Sequence, residues 1–165
     1  MATLNSRSIM KIKLLTLLVG SALTTAVMAA DVTYRTDIAA LVKARCADCH
    51  GAESPALSEF LTDQKKYKKE KVGPRLTSYE DLVQLAGWPE SGALMRRLDD
   101  GAASPGNKPG NMYRHLGETD EERASNLKLI KDWVGEGGWN LNRWEVAGDV
   151  PAISKEQMSK LLLKY

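Results

Sequence analysis

The sequence predicts an all-α domain. Apolar residues recur at three- and four-residue intervals in several separate stretches. Capping residues and glycines bracket those stretches, and no useful length of chain alternates with the period of two that a half-buried strand requires. The opening 30 residues are set apart from this pattern. They carry Arg7, Lys11 and Lys13 but no acid, then an uncharged run from Leu14 to Ala30 with small residues near Ala29 and Ala30, the order expected of an export signal. Cleavage after Ala29 or Ala30 leaves 135 residues, enough for one domain around one core, with the uncleaved segment as a membrane anchor the alternative.

The first helix is expected in TDIAALVKARC, where Ile38, Leu41 and Val42 share a face and Asp37 sits in the first turn. Residues 52–76 lose that period and carry the run KKYKKEK, and are read as a solvated, partly helical excursion. In TSYEDLVQLAG, Thr77 and Glu80 have capping-box spacing, Tyr79, Leu82, Val83 and Ala86 form a stripe, and Gly87 is the stop. Ser91 is expected to cap a short helix with Leu94, Met95 and Leu98 inward, and GAASPGNKPGNM is a loop by its Gly, Pro and Asn content. The clearest helix follows in TDEERASNLKLIKDWVGEGG. Thr119 and Glu122 are its expected capping box, Leu127, Ile130, Trp133 and Val134 its buried stripe, and Gly135 its end. Ser154 and Gln157 then start a final short helix. Residues 31–138 are thus expected to form the domain, and residues 139–165 an extension packing on or beside it.

Both cysteines and one of the two histidines fall within CADCH, residues 46–50. A disulfide across two intervening residues closes too small a loop to stabilise much, a redox Cys-x-x-Cys pair lacks a βαβ context here, and structural zinc needs a fourth ligand that only distant His115 offers. Cys-x-x-Cys-His is the attachment pattern of c-type haem: two thiols reach one porphyrin edge while the next residue offers its imidazole to the iron. Cys46 and Cys49 are the expected thioether sites, His50 the proximal ligand, and one covalent haem c the expected cofactor.

The sixth ligand decides what such a site does, because an iron closed on both faces passes electrons and an open one binds or activates small molecules. Met95 and Met158 lie on helices and read as packing residues. Met112 follows the Gly/Pro-rich loop, 62 residues after His50, where a loop can approach the iron without pressing a helix backbone on the ring; His115, three residues on, competes with it. Arg96, Arg97 and Arg75 offer guanidinium forks for haem propionates, though solvated surface charge is the reading to beat, and Trp88 before Pro89 reads equally as closing a propionate edge or as core.

Taken together, the helix leading into CADCH, then SGALMRRL, a Gly/Pro loop carrying Met, and TDEERASNLKLIKDWVGEGG resemble the small monohaem class I cytochrome c family over residues 34–138. The resemblance implies that family's fold, short helices wrapped around one haem. It implies Cys46 and Cys49 as attachment sites, His50 and Met112 as iron ligands, and Trp133 as the last-helix aromatic that packs on the first helix beside the haem. A departure is Tyr113 after Met112, where the family often has Pro. The expected function is one-electron transfer between redox proteins in the periplasm, in a chain such as iron or sulfur-compound oxidation, rather than catalysis. The alternatives are a haem enzyme or gas sensor with an open distal site, or an anchored subunit of a larger oxidoreductase.

Charge supports weakly docking partners and excludes nucleic acid. Of 23 basic residues, three lie in the export segment, so 20 face 21 acidic ones afterwards, without the basic excess a nucleic-acid footprint needs. A monomer that docks redox proteins transiently is expected, with membrane contact only if the signal is retained. The cluster Lys65, Lys66, Lys68, Lys69 and Lys71 is either a docking patch or a solvated face.

Overall fold

The computed structural model describes residues 31–87, 90–102, 105–139 and 154–165; residues 1–30, where an export signal is expected, Trp88 and Trp144 lie outside them. Among the described residues there are helices and no strand. Thr33 caps a π-type turn, Tyr34–Ile38, that runs into α1, Ala39–Arg45, and after a break at Cys46 into α2, Ala47–His50. Ile38 and Val42 are buried and Leu41 half-buried, as the spacing requires. The excursion of residues 52–76 contains two short helices, α3, Leu57–Thr62, and α4, Gln64–Lys69.

α5 spans Tyr79–Ala86, and its capping box is Ser78 with Asp81, one residue later than the expected Thr77 and Glu80. The reason lies in the Asp81 carboxylate. It is buried and accepts from the backbone N–H of Thr77 (3.0 Å) and of Ser78 (3.1 Å), the Thr77 hydroxyl (3.3 Å) and Arg75 Nε (3.4 Å), which the exposed Glu80 does not offer. α6, Ala93–Leu98, is not capped by Ser91: its N-cap is Gly92 at φ 76°, and the Ser91 hydroxyl donates back to the Gly87 carbonyl. α7, Asp120–Val134, has the buried stripe Leu127, Ile130, Trp133 and Val134. Its capping box is only half formed, since Thr119 accepts from Glu122 N (3.2 Å) while the Glu122 carboxylate accepts from Glu118 N (2.7 Å). α8, Lys155–Ser159, has both bonds of the Ser154–Gln157 box.

α7 is the spine. It packs against the Tyr34–Ile38 turn on one side and against a 3-10 turn, Tyr113–Leu116, on the other, while α5 packs on α6. The C-terminal segment after α8 closes the first of these junctions. Leu162 N and Leu163 N donate to the Val134 and Trp133 carbonyls (3.0 and 2.9 Å), and the Lys164 carbonyl accepts from both Tyr34 N and Trp133 Nε1 (2.8 Å each). Tyr165 stacks on Tyr34 at 5.9 Å and meets Tyr79 edge-on at 5.3 Å, and Tyr79 Oη donates to the Leu163 carbonyl (2.7 Å). The last residues therefore belong to the packed body of the molecule. Each added ring and each satisfied carbonyl stabilises the helix junction by about 1 kcal/mol.

Candidate haem site

Within CADCH, Cys46 is the break between α1 and α2 and the remaining four residues form α2, so Cys46 and Cys49 lie one turn apart. His50 N donates to the Cys46 carbonyl at 2.9 Å. Both thiols are free, Cys46 half-buried and Cys49 exposed, and burial pushes the Cys46 thiol up to about 11. The turn is fixed to the rest of the protein by Arg45, whose guanidinium bridges Glu118 and Glu122 at the start of α7 at 3.1 Å each.

His50 is held by a segment that the periodic reading passed over. Gly73 N donates to the Cys49 carbonyl and Leu76 N to the His50 carbonyl (3.0 Å each), while Arg75 N donates to the Pro55 carbonyl (2.8 Å). Within this clamp, His50 Nδ1 lies 2.6 Å from the Pro74 carbonyl. A carbonyl only accepts, so Nδ1 carries the hydrogen and Nε2 keeps its lone pair, the form that ligates a metal. Burial lowers the His50 pKa despite the Pro74 bond, and nearby His115 lowers it further, both favouring the neutral ring. Gly73 lies directly against the imidazole, where any Cβ would overlap Cε1 and Nδ1. The signal for these residues was the string GPRL at 73–76, a glycine and a proline that break helical period because their backbone serves the histidine.

The loop that carries Met112 is held differently. Gly110 N donates to the Asp99 carbonyl (2.8 Å) and Met112 N to the Arg97 carbonyl (2.9 Å), so the loop is strapped to the end of α6. Gly110 lies so close to that helix end that a Cβ there would overlap the Arg96 and Arg97 carbonyls. Tyr113 N donates to the Gly110 carbonyl at 3.0 Å, a bond that proline at this position cannot make, so the departure from the family pattern exchanges ring rigidity for a hydrogen bond. Met112 is half-buried against the core and lines an open depression of about 390 Å³ with Pro109, Gly110, Asn111, Tyr113 and Arg114. His115 is exposed, and its Nε2 accepts from Arg114 Nε at 3.1 Å.

The remaining candidates are accounted for locally. Met95 is fully buried and Met158 about half exposed, on α8. Arg96 donates to the Ser91 carbonyl (3.0 Å), Arg97 to Asn111 Oδ1 (3.2 Å), and Arg75 faces Asp81. Trp133 is fully buried between α7, Tyr34 and Tyr79, its indole nitrogen committed to the Lys164 carbonyl.

Comparison with known proteins now bears on this arrangement. The PccH cytochrome c family matches residues 33–165, which is most of the chain and includes its C-terminal segment. The chain belongs to this family. A solved structure described as the monohaem cytochrome PccH from Geobacter sulfurreducens is 44% identical, covers 82% of this chain and 100% of its own, and superposes with a TM-score of 0.69. No curated protein matches. The fold is therefore the all-α fold of a monohaem cytochrome c, and the cofactor of a PccH cytochrome is one covalently bound haem c. The residues described here fit that group. Two free thiols stand one turn apart, a neutral imidazole has its Nε2 unclaimed, and glycine clears the ring. Membership suggests a role in carrying electrons to and from other redox proteins. No helix among the described residues is long and apolar enough to cross a membrane.

Proposed function

We propose that this PccH-type cytochrome is an exported, monomeric one-electron carrier of the periplasm, docking briefly on redox proteins and catalysing no reaction of its own. In this reading residues 1–30 are the export signal, Cys46 and Cys49 hold the haem, and His50 and Met112 close the iron. The observation that carries it is the pairing of His50 Nδ1 with the Pro74 carbonyl, which leaves Nε2 for the iron, together with a loop that brings Met112 half-buried to the core. Met112 is favoured over His115 because His115 is solvent-exposed and its Nε2 lone pair is engaged by Arg114.

The haem, when bound, supplies a single Fe(III)/Fe(II) couple. The chain's own residues do the rest. The Pro74 carbonyl holds the imidazole orientation and raises its basicity. A Met112 thioether on the iron would favour the reduced state relative to a second imidazole. With His50 and Met112 both holding it, the iron would take up no exogenous molecule, and the small interface of a transient complex suffices for exchange. Arg96 and Arg97, at the end of α6, are assigned to the propionate side, and Trp133 to the packing of α7 on the first helix rather than to direct contact. A chain that oxidises iron or sulfur compounds is one setting for such a carrier.

The test is a redox titration of the purified holoprotein combined with carbon monoxide exposure of the reduced form. A single reversible one-electron wave with no change in the ferrous spectrum under carbon monoxide is expected. Rapid carbon monoxide binding by the wild type would replace this reading with an open-site enzyme or sensor.

A further inference from the structure

The lysine cluster of residues 65–71 has a structure its sequence does not disclose. α3 and α4 form a preformed hairpin: Tyr67 stacks on Phe60 with ring centres 5.8 Å apart, Tyr67 Oη donates to Glu59 Oε1 (2.7 Å), and Asp63 caps α4 by accepting from Lys66 N (3.0 Å). Lys65, Lys68 and Lys69 share one face of α4 by their spacing. Among the described residues none of the lysines at 65, 66, 68, 69 and 71 forms an ion pair, while Lys128, Lys160 and Lys164 pair with Asp132, Glu156 and Asp31. Lys66 lies over the Tyr67 ring and Lys68 donates to Gln64, so these two heads are positioned without being neutralised.

Two further observations connect this charge to the site. Residues 64–71 carry five lysines and one Glu, a net +4, whereas residues 31–165 as a whole carry −1, so the rest of that body is at −5 and the molecule is strongly polarised. The patch also ends at the proximal ligand. α4 stops in a Schellman turn, with Lys71 N donating to the Lys68 carbonyl (3.3 Å), Val72 N to the Tyr67 carbonyl (3.0 Å), and Lys71 in the left-handed region at φ 60°. A non-glycine residue there costs about 1 kcal/mol. That turn delivers Gly73 onto the His50 ring, and two residues span at most about 7 Å.

We infer that the α3–α4 hairpin is the docking face for an acidic redox protein, steering it so that electrons enter or leave beside His50. This rests on the electron-carrier reading above. A protein rather than an anionic membrane is favoured because the two rings of the hairpin, Phe60 and Tyr67, are engaged with each other and Leu61 is its single exposed large apolar side chain, too little apolar surface to enter an acyl layer. Steering of this kind acts on the association rate and fades with salt.

The experiment is stopped-flow oxidation of the reduced holoprotein by plastocyanin, an acidic copper protein, in which one electron passes from Fe(II) to Cu(II). The variants are Lys65→Glu/Lys69→Glu, which spares the Schellman turn, and Lys128→Glu/Lys155→Glu, which makes the same change in net charge elsewhere. At low ionic strength the first variant should slow about fivefold or more and the second less than twofold, the difference vanishing at high salt. Equal slowing of both variants, or no slowing in either, overturns the inference. So does binding of the wild type, but not of Lys65→Glu/Lys69→Glu, to phosphatidylglycerol vesicles in the absence of any effect on plastocyanin. The reduction potential and carbon monoxide insensitivity, recorded on the same samples, separate a failed docking face from a failed carrier reading.

Discussion

His50 and Met112, the two ligands of the proposed function, are held by different means. The His50 side chain has its own hydrogen bond, to the Pro74 carbonyl, and its backbone is pinned by Leu76 while Cys49 is pinned by Gly73. Met112 has only backbone ties, its N–H to the Arg97 carbonyl, its carbonyl to His115 N and, beside it, Gly110 to Asp99, and a thioether that makes no directional bond. The difference teaches that the protein alone orients the His50 ring, whereas the Met112 thioether is placed only through its backbone, so that under the proposed function its final position would be set by the metal. Perturbing the first should damage the whole holoprotein, and perturbing the second should change ligation and leave the fold in place.

The largest effect is expected where both sides lose the haem. Cys46→Ser/Cys49→Ser should abolish covalent attachment and most helical circular dichroism, because the core of short helices, in which Trp133 is the one fully buried aromatic among the described residues, lacks apolar area to pack without the porphyrin plate. A cooperatively unfolding, helical apo form would contradict this. Next, Gly73→Ala should destabilise the holoprotein by about 2–3 kcal/mol, since the added methyl overlaps the His50 ring and must displace it. Thermal melts read the loss, and Pro74→Ala, which keeps the carbonyl, should cost much less. Removing residues 162–165 strips five hydrogen bonds and the Tyr165 stack from the junction of Tyr34, Tyr79 and Trp133, at about 3 kcal/mol, with the haem spectrum unchanged. Smallest is Tyr113→Pro, which restores the family residue but loses the bond to the Gly110 carbonyl; about 1 kcal/mol of destabilisation by chemical denaturation is expected, confined to the distal side.

Much of this was legible in the sequence, and the failures have physical causes. The stripe of α7 and the caps at Thr119 and Ser154 were readable because helix periodicity and capping are local. The box at Thr77 slipped by one because TSYED contains two overlapping Ser/Thr-x-x-acid pairs, and burial beside Arg75, a tertiary fact, chooses Asp81. CADCH declared the haem, yet the clamp that orients His50 was missed, since its contacts are made by backbone carbonyls and an absent Cβ and leave no hydrophobic period. The C-terminal strap was hidden for the same reason. Its partners, the carbonyls of Leu163 and Lys164, exist at every residue, so only the fold reveals that they receive Tyr79, Tyr34 and Trp133.

The most direct test of the two-sided account is the far-red absorption of the oxidised holoprotein, where a sulfur-to-iron charge-transfer band reports methionine ligation, compared with Met112→Ala and His115→Ala. The account predicts a band in the wild type that persists in His115→Ala and disappears in Met112→Ala, with the melting curve of Met112→Ala still cooperative. A wild type without the band, or a band that survives in Met112→Ala, would contradict it.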